Sequence, residues 1–166
     1  MGGFFGLVGE CARDGELLVR MGKAIRHRGP DAGDRWVDAE TGIALGHQRL
    51  SIIDLSPAGA QPMHSAGGRY VLSYNGEIYN HLDLRRDLES EKTAPNWRGH
   101  SDTETLLACI EFWGLDVTLR KASGMFAFAL WDKQARRLHL ARDRFGEKPV
   151  YWGWAGQDLV FGSELK

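Results

Sequence analysis

The apolar pattern of this chain begins with a strand and continues with a helix. The apolar run at residues 4–8 predicts a short strand. Gly6 and Gly9 suggest that a neighbouring group approaches its backbone too closely for a side chain. Apolar residues then recur at helical spacing and define one face: Leu17, Leu18, Met21, Ala24 and Ile25. The helix should end in "HRGPD", where Gly29 and Pro30 stop it.

The middle of the chain alternates strands with polar loops. The pattern predicts strands around residues 34–38 and 42–53, and a loop rich in Pro, Gly and Ser over 54–68. "RYVLSY" is the next predicted strand, and residues 80–88 have a helical pattern. "ESEKTAPNWRGH" is polar, contains Pro95 and lacks periodicity, so we expect an exposed loop there.

The last third begins with a helix and ends in strands. Ser101 and Glu104 form a capping-box pattern, before an apolar stripe that stops at Gly114: Leu106, Leu107, Ile110 and Trp113. "GMFAFALWD" is apolar at both alternating positions, which predicts a strand buried on both faces. "RLHLARD" should pair with it through a loop over residues 133–136, and two more strands are predicted at 150–154 and 159–162. Many hairpins and few parallel crossovers favour an α+β sandwich of antiparallel sheets covered by helices.

Composition narrows the class of protein. The 166 residues suit one domain, and a hydrophobic share of 43% with 26% charged residues is typical of a soluble globular protein. A net charge of -1 argues against nucleic acid as the main partner, and no apolar run approaches the ~20 residues of a membrane helix, so we expect a cytoplasmic protein. Cys11 and Cys109 predict two reduced, mostly buried thiols, and the His and Cys spacing predicts no metal site.

Four short stretches put unusual polar residues beside predicted strands or at a helix start, one of them the amino terminus that leads into the first strand, and each has a plain alternative. "YNGEIYN" puts Asn75, Gly76 and Glu77 at a strand end, but Asn-Gly is also the strongest short hairpin signal. Asp102 at the start of a helix could simply interact with the helix dipole. Arg49 in "HQRLSIID" could pair with any surface carboxylate. No single residue among them identifies a site.

Together with the rest of the chain, these stretches resemble one family. The ordered set is "FFGLVG", "HRGPD", "GHQRLSIID", "GAQPM", "NGEIYNH", "GHSDTE", "GMFAFALWD", "ARDRFGEKPVYW" and "FGSELK". It resembles the class II glutamine amidotransferase domain of glutamine-dependent asparagine synthetases and related bacterial amidotransferases, over essentially the whole chain. The resemblance implies an N-terminal nucleophile hydrolase fold, a four-layer αββα sandwich of two antiparallel sheets between helices. It also implies hydrolysis of the glutamine side-chain amide to glutamate and ammonia by an amino-terminal cysteine, exposed when Met1 is removed.

The resemblance assigns a role to each polar residue. Asn75, through its side-chain amide, and Gly76, through its backbone N–H, would form the oxyanion hole. Arg49 would bind the α-carboxylate of glutamine and Asp102 its α-ammonium group. Four further residues would line the pocket: Leu50, Ile52, Ile53 and Glu77. We expect Gly76 to be glycine because a side chain there would crowd the approaching amide.

The chain departs from the family at one position. The family begins Met-Cys-Gly, whereas this chain begins Met1-Gly2-Gly3, so Gly2 occupies the nucleophile's position. Without a thiol there is no thioester, and we expect hydrolysis to be lost while glutamine binding is retained. Cys11 is a poor substitute, since exposing it would remove the first strand. The glycine could be a deliberate knockout or a natural feature of a pseudoenzyme.

The resemblance also implies partners outside the chain. An ATP-dependent synthetase domain is expected beyond Lys166, with ATP and Mg²⁺ bound there and no cofactor in the present domain. Its acceptor could be aspartate or another carboxylate, and a homodimer is one option for the assembly. Two other functions stay open: a non-catalytic module that binds glutamine for regulation, and a purely structural domain. The second does not explain the set of Arg49, Asn75, Gly76 and Asp102.

Overall fold

The computed structural model of the chain describes residues 2–50 and 59–165, and within them it contains nine strands and four α-helices. The strands are β1 Gly3–Val8, β2 Ala32–Asp38, β3 Ile43–Arg49, β4 Met63–His64, β5 Tyr70–Ile78, β6 Gly124–Asp132, β7 Arg137–Arg142, β8 Tyr151–Ala155 and β9 Asp158–Gly162. The helices are α1 Gly15–Ala24, α2 His81–Ser90, α3 Asp102–Trp113 and α4 Leu115–Lys121, with 3-10 turns at Glu10–Arg13 and Arg26–Arg28.

The strands form two antiparallel sheets that lie between two layers of helices. One sheet has the order β2-β3-β1-β9-β8 and the other β4-β5-β6-β7. Helix α1 packs on the five-stranded sheet through Leu18 and Phe5, and α3 packs on the four-stranded sheet through Leu106 and Ile110. A third apolar cluster, which includes Phe4 and Phe161, fills the space between the sheets. The predicted αββα sandwich is confirmed.

Local capping agrees with the sequence in part. The side chain of Asp14 accepts hydrogen bonds from the N–H groups of Glu16 and Leu17 at the start of α1. Ser101 accepts from the N–H of Glu104, at 3.2 Å, as the capping box predicts. The Glu104 carboxylate instead accepts from the backbone N–H groups of residues 98 and 99, so it holds the preceding loop onto the helix. Helix α3 ends at Gly114, whose φ of 80° favours glycine.

Several predictions about elements were wrong. The sequence pattern missed α4, and it missed β4 inside the predicted loop over residues 54–68. Strand β3 ends at Arg49, and residues 51–53 of the predicted strand lie outside the described part of the chain. Asn75 and Gly76 do not form a turn, because β5 continues through both and pairs them with Ala127 and Phe126 of β6.

The two cysteines differ in environment. Cys109 is buried in the core against α2 and β5, and burial raises the pKa of its thiol to about 12. Cys11 is exposed, so the prediction of two mostly buried thiols was wrong for it. Its side chain hydrogen-bonds to Asp158, which raises the pKa of the thiol. No helix in the described ranges is long and apolar enough to cross a membrane.

Candidate functional site

The free edge of β5 beyond β4 carries a row of backbone groups. β4 pairs with residues 71 and 72 of β5, and among the described residues no strand pairs with the rest of that edge. There the N–H of Tyr74 donates to Oε1 of Gln61 at 2.7 Å, and the N–H of Ile78 donates to Oδ2 of Asp102 at 2.9 Å. Since alternate residues of a strand direct their N–H groups to the same edge, the N–H of Gly76 lies between these two. This group can donate to a ligand at the edge.

Asn75 directs its amide toward the space between the sheets. The side chain is 2% exposed, and neither its Nδ2 nor its Oδ1 atom has a hydrogen-bond partner among the described residues. A buried polar group without a partner costs about 1–3 kcal/mol, so native proteins rarely retain one without a function. Within the described part of the chain, the amide of Asn75, the residue before Gly76, therefore has a donor and an acceptor available to a ligand.

His47 connects the amino terminus to this strand. Its Nε2 donates to the carbonyl oxygen of Tyr74 at 3.0 Å, which leaves Nδ1 unprotonated, buried and without a partner in the described ranges. Burial, together with the charge of nearby Arg49, lowers the pKa of His47 to about 4. The ring is therefore neutral at pH 7. A Cβ atom at position 2 would lie 3.0 Å from its Cε1 atom, so residue 2 lies against the ring.

Gly2 is packed too closely for any side chain on this backbone. A Cβ atom there would lie 2.1 Å from the backbone oxygen of Gln48. That contact is shorter than real Cβ contacts, and its partner is the backbone of β3 rather than a flexible side chain. A larger residue at position 2 therefore requires the amino-terminal segment to move.

Asp102 is buried and anchors β5 to the start of α3. Its Oδ2 atom accepts from the hydroxyl of Tyr74 at 2.6 Å and from the N–H of Ile78 at 2.9 Å. Its Oδ1 atom accepts from the N–H of Thr103 at 2.9 Å. A carboxylate has about four acceptor positions, so one remains for a cation such as an ammonium group. The residue thus has a structural role in addition to any role in binding.

The remaining predicted residues differ in exposure. Arg49 is partly buried at the end of β3 and shares a face with His47, two residues before it. Leu50 and Glu77 are both exposed. Ile52 and Ile53 lie outside the described residues. His47 thus lies against residue 2 and contacts the carbonyl oxygen of Tyr74, the residue before Asn75, and the hydroxyl of Tyr74 reaches Asp102.

The reason for glycine at position 76 differs from the expectation. A Cβ atom at Gly76 would lie 2.3 Å from the carbonyl oxygen of Met125 and 2.7 Å from the Cα atom of Phe126. Both atoms belong to β6, so the neighbouring strand excludes a side chain, whatever approaches from the open edge.

Three residues near the site, His47, Tyr74 and Gln61, were not predicted from the sequence pattern. His47 had a usable signal, because it precedes Arg49 by two residues and a strand places both on one face. Tyr74 is adjacent to Asn75 in the chain. Gln61 had no signal, since only the three-dimensional path of the loop brings its side chain to Tyr74.

Comparison with known proteins shows the family of the chain. A family model described as a glutamine amidotransferase domain matches residues 1–166. The chain belongs to the glutamine amidotransferase domain family. It is 39% identical to asparagine synthetase [glutamine-hydrolyzing] 1 of Bacillus subtilis, in a match that covers 100% of this chain and 26% of that protein. Asparagine synthetase [glutamine-hydrolyzing] 3 of the same organism is 37% identical, covering 95% of the chain and 25% of the relative.

The fold of the domain also occurs in a solved structure. Glutamine phosphoribosylpyrophosphate amidotransferase from B. subtilis, complexed with ADP and GMP, superposes with a TM-score of 0.76 at 21% sequence identity. The superposition covers 97% of this chain and 41% of that one. By comparison, the chain spans about a quarter of the length of the two asparagine synthetases named above.

Proposed function

We propose that this domain binds glutamine in the manner of an asparagine-synthetase-type amidotransferase, and that Gly2 at the nucleophile's position disables hydrolysis. The observation that carries the proposal is the amide of Asn75, which is buried, has no partner among the described residues and belongs to the residue before Gly76. Two donors side by side suit an amide oxygen that becomes an oxyanion.

The charges near this edge suit an amino acid. Arg49 binds the α-carboxylate of glutamine, and Asp102 uses its remaining acceptor position for the α-ammonium group. The neutral ring of His47 supports residue 2 without adding a charge beside the free α-amine. In a relative with cysteine at position 2, that amine accepts the proton of the thiol. Leu50 and Glu77 would line the rest of the pocket, and the resemblance assigns the same role to Ile52 and Ile53, which lie outside the described residues.

The rest of the activity belongs to the longer protein that the relatives suggest. We propose an ATP-dependent synthetase domain that uses ATP and Mg²⁺ to activate the carboxylate of an acceptor, in a cytoplasmic enzyme. Ammonia made from glutamine would be the nucleophile in a relative with the cysteine. In the present protein, free ammonia would have to take that place.

The decisive experiment compares Gly2→Cys with Gly2→Ala. Both variants put a Cβ atom against the carbonyl of Gln48, so both measure the cost of moving the amino terminus, but only the cysteine provides a nucleophile. We expect ammonia release from glutamine in Gly2→Cys alone, after mass spectrometry has shown that Met1 is removed. A Gly2→Cys protein that lacks Met1 and binds glutamine, yet releases no ammonia, would contradict the proposal.

The close contact of Gly2 with Gln48 also supports the second candidate, a glutamine-binding module without catalysis. A backbone that accepts only glycine is expected of a site that no longer uses a side chain there. The unmodified protein should then melt at a higher temperature in millimolar glutamine. Its free energy of unfolding should rise by about 2.7 kcal/mol when the glutamine concentration is 100 times Kd. Absence of any shift at saturating glutamine would count against both functions.

A further inference from the structure

Strand β8 exposes large apolar side chains at one edge of the five-stranded sheet. Trp152 and Trp154 are 63% and 67% exposed, and Tyr151 is also exposed. In the register of β8 with β9, Trp152 is opposite Phe161 and Trp154 is opposite Leu159. Residues opposite each other share a face of the sheet. Phe161 is 2% exposed in the cluster between the two sheets, so the tryptophans continue this inner face beyond the area that the second sheet covers.

The opposite face of β8 is open as well. A groove of about 300 Å³ lies between α1 and the strand pair β8–β9. Apolar residues from both sides line it, among them Met21, Ile25 and Val160. The exposed side chain of Leu165 lies at the same groove. Among the described residues, β8 pairs only with β9, so its other edge has no partner strand there. Its side chains are also exposed on one face and line the groove on the other.

The two edges of this sheet differ in chemistry. The other edge strand, β2, carries Asp34, Arg35 and Asp38, and charges of this kind prevent an exposed edge from pairing with other chains. Strand β8 has the sequence YWGWA and contains no charged residue. An apolar edge without such protection is characteristic of a strand that is covered in the complete protein.

We infer that β8 is the docking surface for the polypeptide that follows Lys166 in the full-length protein, which adds a strand to its free edge and covers Trp152 and Trp154. The asparagine synthetases that the chain matches are about four times as long, so the longer protein proposed above would provide such polypeptide. Polypeptide that continues from Leu165 begins at the groove. Because it is covalently attached, its effective concentration at β8 exceeds that of a second copy of the chain.

The inference rests on the proposed function only in treating the chain as part of a longer protein. The test uses hydrogen exchange in the full-length protein, without glutamine, so its failure is separate from any failure of glutamine binding. We expect the amides of Tyr151–Ala155 to exchange about tenfold or more slowly than those of the charged edge Ala32–Asp38. The double variant Trp152→Ser/Trp154→Ser should lose that protection and melt at a lower temperature.

A matched variant controls for the loss of apolar side chains. Leu82 and Phe112 are also large and exposed, but they lie on helices α2 and α3. Leu82→Ser/Phe112→Ser should leave exchange over β8 unchanged. The inference is overturned if β8 exchanges as fast as β2 in the full-length protein. It is also overturned if protection of β8 depends on protein concentration, which would show that a second copy covers the strand.

Discussion

Replacing Asn75 with leucine should stabilise the fold and at the same time abolish the response to glutamine. The change keeps a side chain branched at the γ position but removes the amide. In the structure, both polar atoms of that amide are buried without a partner among the described residues. The amide therefore lowers the free energy of unfolding when no ligand is bound, and we propose that it is retained for the ligand.

The size of the effect follows from the burial of Asn75. Leaving a buried polar group unsatisfied costs about 1–3 kcal/mol, and an apolar group of similar shape removes that penalty. The longer methyl groups of leucine also crowd the site, which offsets part of the gain. We expect a net gain of about 2 kcal/mol, equivalent to a rise in Tm of about 4–8 °C for a domain of this size.

The assay is thermal and urea unfolding of both proteins, with and without millimolar glutamine. Ser73 offers a matched control, because it lies on the same face of β5 two residues away and its Oγ atom is also buried without a partner in the described ranges. Ser73→Ala should stabilise the fold by about 1 kcal/mol and keep the glutamine response. Asn75→Leu should keep the stability gain and lose the response.

One result would refute this reasoning. If Asn75→Leu unfolds at a lower urea concentration than the unmodified protein while Ser73→Ala does not, the amide of Asn75 makes a stabilising interaction without glutamine. Asn75 would then have a structural role in the packing between the two sheets.

Three further predictions concern His47, Gly76 and Ser101. The pKa of His47 is about 4 in the folded state and near 6.5 in the unfolded state, so the unfolded state binds a proton at a higher pH than the folded state. The free energy of unfolding should therefore fall by about 3 kcal/mol as the pH is lowered from 6.5 to 4. Urea midpoints should fall less over this range in His47→Asn. Gly76→Ala should cost about 3 kcal/mol or more in thermal melts, whereas Gly153→Ala, with open space around it, should be nearly neutral. Ser101→Ala should cost about 1 kcal/mol in urea unfolding, and an unchanged midpoint would contradict its role as a cap.

Most of the secondary structure followed from local patterns. The buried strand in "GMFAFALWD" became β6, and its predicted partner became β7. Helix α3 begins and ends where Ser101 and Gly114 indicate. Two short elements escaped prediction, because β4 has only two residues and α4 has seven, too few to produce a clear period.

The site was less accessible to pattern reasoning. The Asn-Gly pair at positions 75 and 76 is compatible with a turn or with a strand, and the choice depends on a partner that is distant in the chain. Residues 124–132 provide that partner, and their backbone excludes a side chain at Gly76. Asp102 has a double role for a similar reason, since its bonds to Tyr74 and Ile78 join elements 24 or more residues apart.

The sequence by itself determined the family, the order of most strands and helices, and the presence of glycine at position 2. Each of these depends on residue identity or on a hydrophobic period of a few residues, and both can be recognised in the sequence without knowledge of the fold. Only the tertiary structure decided that the amide of Asn75 has no partner within residues 2–50 and 59–165, that His47 joins residue 2 to β5, and that β2 and β8 are the two edge strands of one sheet in that part of the chain. Those properties depend on which distant backbone lies within a few ångströms, and no local pattern specifies that.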